Sequence, residues 1–361
     1  MDFTLDETQA ELRELAASLF GREAAHDRLA DHEKGGRPYD AGLWHAVARA
    51  GLIGACLPED AGGAGLGAVG LAVILREAGA KVVPAPIQDS LVAAMVIGRY
   101  GSAEQRGRLA RLTEGEIVLT AALLEPGRDL GATPLTTARR SGEGWVLSGR
   151  KTMVSYAAEA DAILVPAQTE QGTGLFLVRP GDAVVRAVPA TTGEPAAAVI
   201  LDGAPGEPVG EPGGAAYGTL RLLALVAITA SASGVLAGAL GLTTEYIKAR
   251  KQFGRALAEF QAVTVQIADV YIAGRALDVA VWSGAWRVDA GLDDEAELDL
   301  AVAAHTVTDA ALVGLYTCQH LHGGIGLDVT YPLHRYFAWG KHRAHLLGGV
   351  EARLDTIGAL V

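Results

Sequence analysis

"IVLTAALLEPGRDLGATPLTTARRSGEGWVLSGRK", residues 117–151, breaks the character of the chain. Upstream, apolar residues recur at three- and four-residue spacing, as in "TQAELRELAASLFGREA" and "YDAGLWHAVARAGLIGA", the period of helices with one buried face. Here they gather instead into short runs, "IVLTAALL", "TPLTTAR" and "GWVLSGRK", which continue downstream as "AILVPAQ", "GLFLVRP" and "AAVILDG". Runs of this kind bounded by Gly, Pro and Ser predict strands, and "SGEGW", residues 141–145, supplies a hairpin signal. The Gly- and Pro-rich "GAPGEPVGEPGGAA", residues 203–216, reads as the exit linker, after which the helical period returns and persists. The expectation is an α+β chain in three parts: a helical N-terminal domain over 1–115, a central β domain over 116–212 and a C-terminal helical bundle over 213–361. No internal repeat stands out.

With 361 residues the chain exceeds what one hydrophobic core usually supports, and with half of them apolar it can bury a large one. The balance of 30 basic against 42 acidic residues, a net charge of -12, disfavours nucleic acid and anionic membrane surfaces as partners. Cys56 and Cys318 lie far apart and without metal spacing, which points to no disulfide, no zinc site and a reducing cytoplasm. The N-terminal "MDFTLDETQAEL" is acidic where an export signal is basic and then apolar. "LLALVAITASASGVLAGALGL", residues 222–242, is uncharged and long enough to span a membrane, with Gly234 and Gly238 at GxxxG spacing. Its Ala, Ser and Thr content, and its passage into the polar "TTEYIKARKQFG", favour a buried bundle helix over a membrane span. The glycine-rich "LPEDAGGAGLG", residues 57–67, reads equally as a turn between helices or as a substrate-facing loop.

Two stretches hold candidate binding chemistry. In "YIKARKQFGRALAEFQAVTVQIADV", residues 246–270, a turn between helices sets Arg250 beside Phe253 and the flexible Gly254, with the amide of Gln261 eleven residues on. A permanent cation with a planar donor fork suits a pyrophosphate or a flat ring system, although a basic residue at a helix end is ordinarily a cap or a surface ion pair. In "CQHLHGGIGLDVTYPLHRYF", residues 318–337, His320 and His322 precede Gly323, Gly324 and Gly326, a helix end followed by bare backbone that a cofactor can approach. The two histidines stand at i and i+2, on different faces of a helix, so they do not form a metal site.

Taken together these stretches resemble the acyl-CoA dehydrogenase family over nearly the whole chain. "FTLDETQ", "LWHAVARAGLIGACLPEDAGGAGLG", "LEPGRDLG", "LSGRKTMVSYAAEAD", "RKQFGRALAEFQ" and "HLHGGIGLDVTYPLHRY" fall in that family's order and at its approximate spacings. The resemblance implies a helical N-terminal domain, a central β domain and a C-terminal four-helix bundle, with FAD as cofactor and an acyl-CoA thioester as substrate. It also implies that a carboxylate takes an α proton while the β hydrogen leaves as hydride to the flavin. By the same resemblance Arg250, Phe253, Gln261 and the segment from His320 to Gly323 and Gly324 reach across a dimer interface to an FAD held mainly by a neighbouring subunit. One departure stands at His320, where the family usually has Gln; Gln319 is displaced by about 100° round the helix.

The base is what the resemblance does not supply. Counted forward from Gly323, the family's catalytic Glu falls on Leu347, followed by Gly348 and Gly349. The alternative position at the start of the bundle's first helix falls near Ala224, again without an acid. The family's flavin-bonding Thr before Glu-Pro corresponds to Leu124 before Glu125 and Pro126, and its flavin-stacking aromatic to Met153. Elements serving a neighbour's flavin are retained while those serving the chain's own flavin and base are lost. That asymmetry suggests the non-catalytic partner in an α2β2 heterotetramer, a form the family takes in bacteria for steroid side-chain oxidation. Rival expectations are a self-sufficient dehydrogenase using Glu351, which is i+4 from Leu347 and so one turn along the same helix face, a related flavin monooxygenase that needs no such base, and a structural partner without cofactor.

Overall fold

The computed structural model describes residues 3–361. Helices α1 (Glu7–Glu23), α2 (His26–Gly35), α3 (Ala41–Arg49), α4 (Leu52–Ala55), α5 (Gly67–Ala80), α6 (Ile87–Tyr100), α7 (Ala103–Gly107) and α8 (Leu109–Thr113) come first. Strands β1 (Leu119–Ala121), β2 (Thr137–Ser141), β3 (Gly144–Ser155), β4 (Ala162–Thr169), β5 (Gly172–Val178), β6 (Val184–Val188) and β7 (Ala196–Val209) follow. The long α9 (Ala216–Ala249) leads through the small hairpin β8 (Lys251–Gln252) and β9 (Arg255–Ala256) into α10 (Gln261–Asp289), α11 (Asp293–Thr306), α12 (Leu312–His322), α13 (Leu333–Leu346) and α14 (Val350–Leu360). Two compact units arise: one gathers residues 1–26, 72–83 and 225–361, the other residues 27–71 and 84–224.

The strand-bearing unit is built on a ring of pairings. β4 pairs β5, β5 pairs β7, β7 pairs β3, β3 pairs β2, and β2 returns to β4 at Thr137 and Gln168, with β1 beside β4 and β6 beside β7. A sheet closed in this way leaves few unpaired edges and encloses its own core, here Leu147, Val165, Phe176 and Val199. The β2–β3 hairpin turns through Gly142 and Glu143 with Gly142 at φ 61°, as "SGEGW" led one to expect.

Two local expectations change. The stretch from Gly203 to Val209 is strand, not linker, so only residues 210–215 connect β7 to α9. Pro205 pairs Val146 on β3 and Pro208 pairs Phe176 on β5, each where β7 has a neighbour on one side only. The missing proline N–H can then face the unpaired side without breaking the ladder. β6, "VVRAV", has no counterpart among the runs singled out from sequence, because it is mostly exposed and lacks a continuous apolar face.

In the helical unit, Gly234 and Gly238 explain the apolar stretch of α9. A Cβ on Gly234 would lie 1.9 Å from the Arg76 carbonyl oxygen, one on Gly238 2.5 Å from that of Ala80, and one on Gly79 2.2 Å from that of Ser231. Two helix backbones touch here, and only glycine permits it. The crossing is pinned by Asp278, which accepts from Arg76 Nε at 2.9 Å and Nη2 at 3.0 Å and from the Ser233 hydroxyl. Two helical spans, Ala216–Ala249 and Asp293–Leu327, are long and apolar enough to cross a membrane, but 89% of the first one's most apolar window is buried within the protein.

Candidate functional site

The end of α9 builds the first part of the site. Arg250 N–H donates to the Tyr246 carbonyl at 2.8 Å and closes the last turn, and the Arg250 carbonyl accepts from Leu257 N–H at 2.9 Å across the β8–β9 hairpin. The tip must reverse within two residues, and it does so with both Phe253 and Gly254 at positive φ, 51° and 81°. A bulky residue in that conformation costs free energy, and Phe253 is also 92% exposed. Its ring meets Phe260 edge-on at 6.3 Å, and Arg255 stacks on Phe260 at 3.9 Å. Arg250 is exposed, and among the described residues its guanidinium makes no hydrogen bond or ion pair. Gln261 is the first residue of α10 and is likewise exposed.

The end of α12 builds the second part. Gly323 ends the helix at φ 65° and ψ −142°, a conformation open essentially to glycine alone. A Cβ on Gly323 or Gly324 would meet nothing within 4 Å, so this backbone faces open space. The two histidines separate: His320 is exposed, while His322 is buried. No cluster of three potential metal ligands exists among the described residues.

His322 is held on every side. Its ring stacks on Tyr246 at 4.3 Å, its Nδ1 lies 2.8 Å from the Cys318 carbonyl, and its Nε2 lies 3.1 Å from the Tyr331 hydroxyl. A carbonyl only accepts, so Nδ1 carries the proton and Nε2 accepts from Tyr331 in the neutral ring. Burial pushes the His322 pKa down, against the pull of the Cys318 carbonyl, and so favours that neutral form. Tyr246 in turn donates its hydroxyl to the His322 carbonyl at 3.3 Å. Tyr246 and Tyr331 carry no site signal in sequence: Tyr246 meets His322 across 76 residues, and Tyr331 meets it from nine residues beyond, across the glycine turn.

The region of the expected base is closed. Leu347 caps α13 with its side chain 0% exposed, and Gly348 and Gly349 follow at φ 85° and 89°. Two successive left-handed residues end the helix. Glu351 therefore belongs to the first turn of a separate helix, α14, and the expectation that it continues Leu347's helix face does not hold. Its side chain is exposed. Ala224 is buried and apolar.

In the strand-bearing unit, the Glu-Pro signature serves a structural bond. Glu125 accepts from Lys151 Nζ at 2.7 Å, from Thr136 N–H at 2.9 Å and from Leu135 N–H at 2.6 Å, which ties the segment 125–136 to β3. Burial alone would raise the Glu125 carboxyl, but the bonds from Lys151 and Thr136 outweigh it and hold the pKa at about 2. The Leu124 carbonyl accepts from Thr152 N–H at 2.9 Å, while its side chain offers nothing but hydrocarbon. Met153, next in line, sits at φ 51° in an irregular stretch of β3.

For a flavin dinucleotide the fit divides. Arg250 offers an uncommitted donor fork, Gln261 an exposed amide, and Gly323 and Gly324 an unobstructed backbone, all on the helical unit. Leu124 and Met153 offer the flavin ring neither a hydroxyl nor an aromatic face.

The model of the acyl-CoA dehydrogenase N-terminal domain matches residues 6–116, and that of the C-terminal domain matches residues 224–361. The chain is 39% identical over 320 residues to acyl-CoA dehydrogenase FadE28 of Mycobacterium tuberculosis, covering 88% of this chain and 91% of that one. Among solved structures it resembles a variant of the Tcur3481-Tcur3483 steroid ACAD, with a TM-score of 0.93 and 42% identity over 99% of this chain and 98% of that one. It also resembles a chain of the ChsE4-ChsE5 complex from Mycobacterium tuberculosis, with a TM-score of 0.92 and 33% identity over the same shares of each chain.

Proposed function

The chain belongs to the acyl-CoA dehydrogenase family, an FAD-dependent family of oxidoreductases acting on acyl-CoA, and from that premise we propose that it is the subunit without a base in an enzyme of two different chains. The partner chain holds most of the FAD and supplies the carboxylate; this chain completes the cofactor site. The observation that carries the reading is Leu347, a fully buried hydrocarbon followed by two glycines where the resemblance leads one to expect the base. An alkyl side chain has no lone pair with which to take the α proton.

Arg250 would bind the cofactor's pyrophosphate through charge-assisted bonds, Gln261 and His320 would donate to it, and Phe253 would cover it. Gly323 and Gly324 would let the backbone approach without a side chain in the way. The bound FAD supplies the hydride acceptor for the β hydrogen of the thioester. In the lone chain these groups point outward, and Phe253 leaves a large apolar ring in water, which is the disposition of surface awaiting a second polypeptide.

The proposed assembly is a cytoplasmic α2β2 heterotetramer without a membrane span, with the segments 1–115, 116–212 and 213–361 as its three domains. Its proposed substrate is an acyl-CoA thioester with a steroid-derived acyl group, a reading that rests on the steroid and two-chain descriptions of the structures it resembles. Glu351 as base is disfavoured by its exposed position beyond the Gly348–Gly349 break. A monooxygenase would still need a flavin cradle in this chain, which Leu124 and Met153 do not offer.

Production of the chain alone and together with its proposed partner tests the reading. Dehydrogenation of an acyl-CoA only in the two-chain preparation is the expected result. Activity from this chain by itself would sink the proposal.

A further inference from the structure

The two cofactor-facing segments, the Arg250 turn and Gly323–Gly324, belong to different helices, yet one cluster joins them. Tyr246 is the hinge of that cluster. Its carbonyl accepts the N–H of Arg250 at 2.8 Å, its ring stacks on His322 at 4.3 Å, and its hydroxyl donates to the carbonyl of His322, the residue immediately before Gly323. His322 is fastened one turn back to the Cys318 carbonyl and forward to Tyr331, whose own ring lies 6.4 Å from Tyr246 and 5.2 Å from His322. The Tyr331 carbonyl then receives His334 Nδ1 at 2.7 Å at the start of α13. The end of α9, the end of α12, the loop that carries Tyr331 and the start of α13 meet in this stack.

We infer that Tyr246, His322 and Tyr331 form a positioning unit that sets Arg250 and the Gly323–Gly324 backbone in one register, so that the affinity of the assembled enzyme for FAD depends on residues that never touch the cofactor. The inference rests on the cofactor-completing role proposed above. Its physical basis is the geometry of the two helix ends. His322 is the N-cap of the 3-10 turn Gly323–Leu327 that follows α12, and the Tyr246 hydroxyl adds a side-chain bond to its carbonyl from another helix. Gly323 donates its N–H to the His320 carbonyl and opens a 3-10 turn over Gly323–Leu327, but no side chain stands within 4 Å of where its Cβ would be, so side-chain support for this turn comes from its flanks. Glycine has more accessible conformations than other residues, so a short glycine turn of this kind holds its register only as firmly as the residues at its ends. The ring stack in turn fixes Tyr246, and through its carbonyl the turn that presents Arg250.

The test uses the two-chain complex stripped of flavin and titrated with FAD, read by quenching of flavin fluorescence, by the visible circular dichroism of the bound flavin and by the melting temperature of the apo complex. Tyr246→Phe keeps the ring and removes the hydroxyl. His322→Phe keeps a stacking ring and removes both polar bonds. His322→Gln restores an amide able to donate to the Cys318 carbonyl and to accept from Tyr331. Loss of one neutral bond from the unit is expected to weaken FAD binding about five-fold in Tyr246→Phe, and more in His322→Phe, with a changed dichroic band. His322→Gln is expected to recover most of the loss. Combined with Arg250→Ala, Tyr246→Phe should cost less than the sum of the two, because both act through one contact.

FAD affinity and dichroism unchanged in both Tyr246→Phe and His322→Phe, with only the melting temperature lowered, would make the stack ordinary core and overturn the inference. Should His322→Phe fail to fold, Tyr246→Phe decides it alone: unchanged FAD affinity and dichroism there overturn the inference. Arg250→Ala separates the levels: if it weakens FAD while the stack variants do not, the positioning unit is wrong and the cofactor-completing role stands. If Arg250→Ala itself leaves FAD unaffected, the cofactor-completing role fails and the positioning inference falls with it.

Discussion

Lys151→Met removes the cation from the most deeply buried ion pair in the strand-bearing unit, where the Lys151 and Glu125 side chains are 0% and 4% exposed and the charged atoms lie 2.7 Å apart. At an effective dielectric constant near 20 the gross attraction over that distance is about 6 kcal/mol, most of it cancelled by the cost of taking both charges from water. Methionine fills similar space, so the loss is electrostatic rather than a cavity. The stranded carboxylate keeps two backbone donors, Leu135 N–H and Thr136 N–H. That places the expected destabilisation toward the lower end of the range for a broken buried pair, about 3 kcal/mol. In urea unfolding followed by tryptophan fluorescence this is a midpoint lower by about 1 M. Lys151→Met combined with Glu125→Gln leaves no charge behind and should recover at least half of the loss. A single variant within about 1 kcal/mol of wild type, or a double variant no more stable than the single, would refute the reasoning.

Other outcomes follow from the same structure. Glu351→Gln in the two-chain enzyme should leave the rate within about two-fold, because an exposed helix-start carboxylate contributes little; a loss of a hundred-fold or more in the steady-state rate would reinstate it as the base. Acid should weaken the helical unit before it reaches the Glu125 pair. Burial foremost, with Arg343 and His345 nearby, pushes the His342 pKa from 6.5 down to about 3. The unfolded chain then binds the extra proton between those values, so this contribution is complete above pH 6.5 and shrinks as pH falls toward 3. Between pH 6.5 and 5 the loss is about 2 kcal/mol, measurable by urea unfolding across that range and absent in His342→Phe. Glu125, with its pKa lowered from 4.5 to about 2, has the same sign but acts only below about pH 4.5.

The order of helical, strand-rich and helical segments was legible because hydrophobic period is a local property, and it switches near Ile117 and again at Ala216. What escaped was set by pairing across distance. The stretch 203–209 has the composition of a linker, and only its placement against β3 and β5 makes it strand. The break at Gly348 and Gly349 was hidden by apolar spacing that reads as helical on both sides. Arg250, Phe253, Gln261 and the Gly323–Gly324 turn were visible as residue types, since a cation, an exposed aromatic and paired glycines carry their chemistry in sequence. The joining of Tyr246 to His322 and of Glu125 to Lys151 spans 76 and 26 residues, and no local pattern reports a contact of that kind.

The central claim, that this chain completes a cofactor site whose ring cradle and base belong to another polypeptide, is tested most directly by counting flavin. FAD released from the purified two-chain complex, measured by absorbance against the amount of each chain, should come to one per pair of unlike chains, and the chain purified alone should be colourless. One FAD per chain in the complex, or a yellow preparation of this chain alone, would contradict the account.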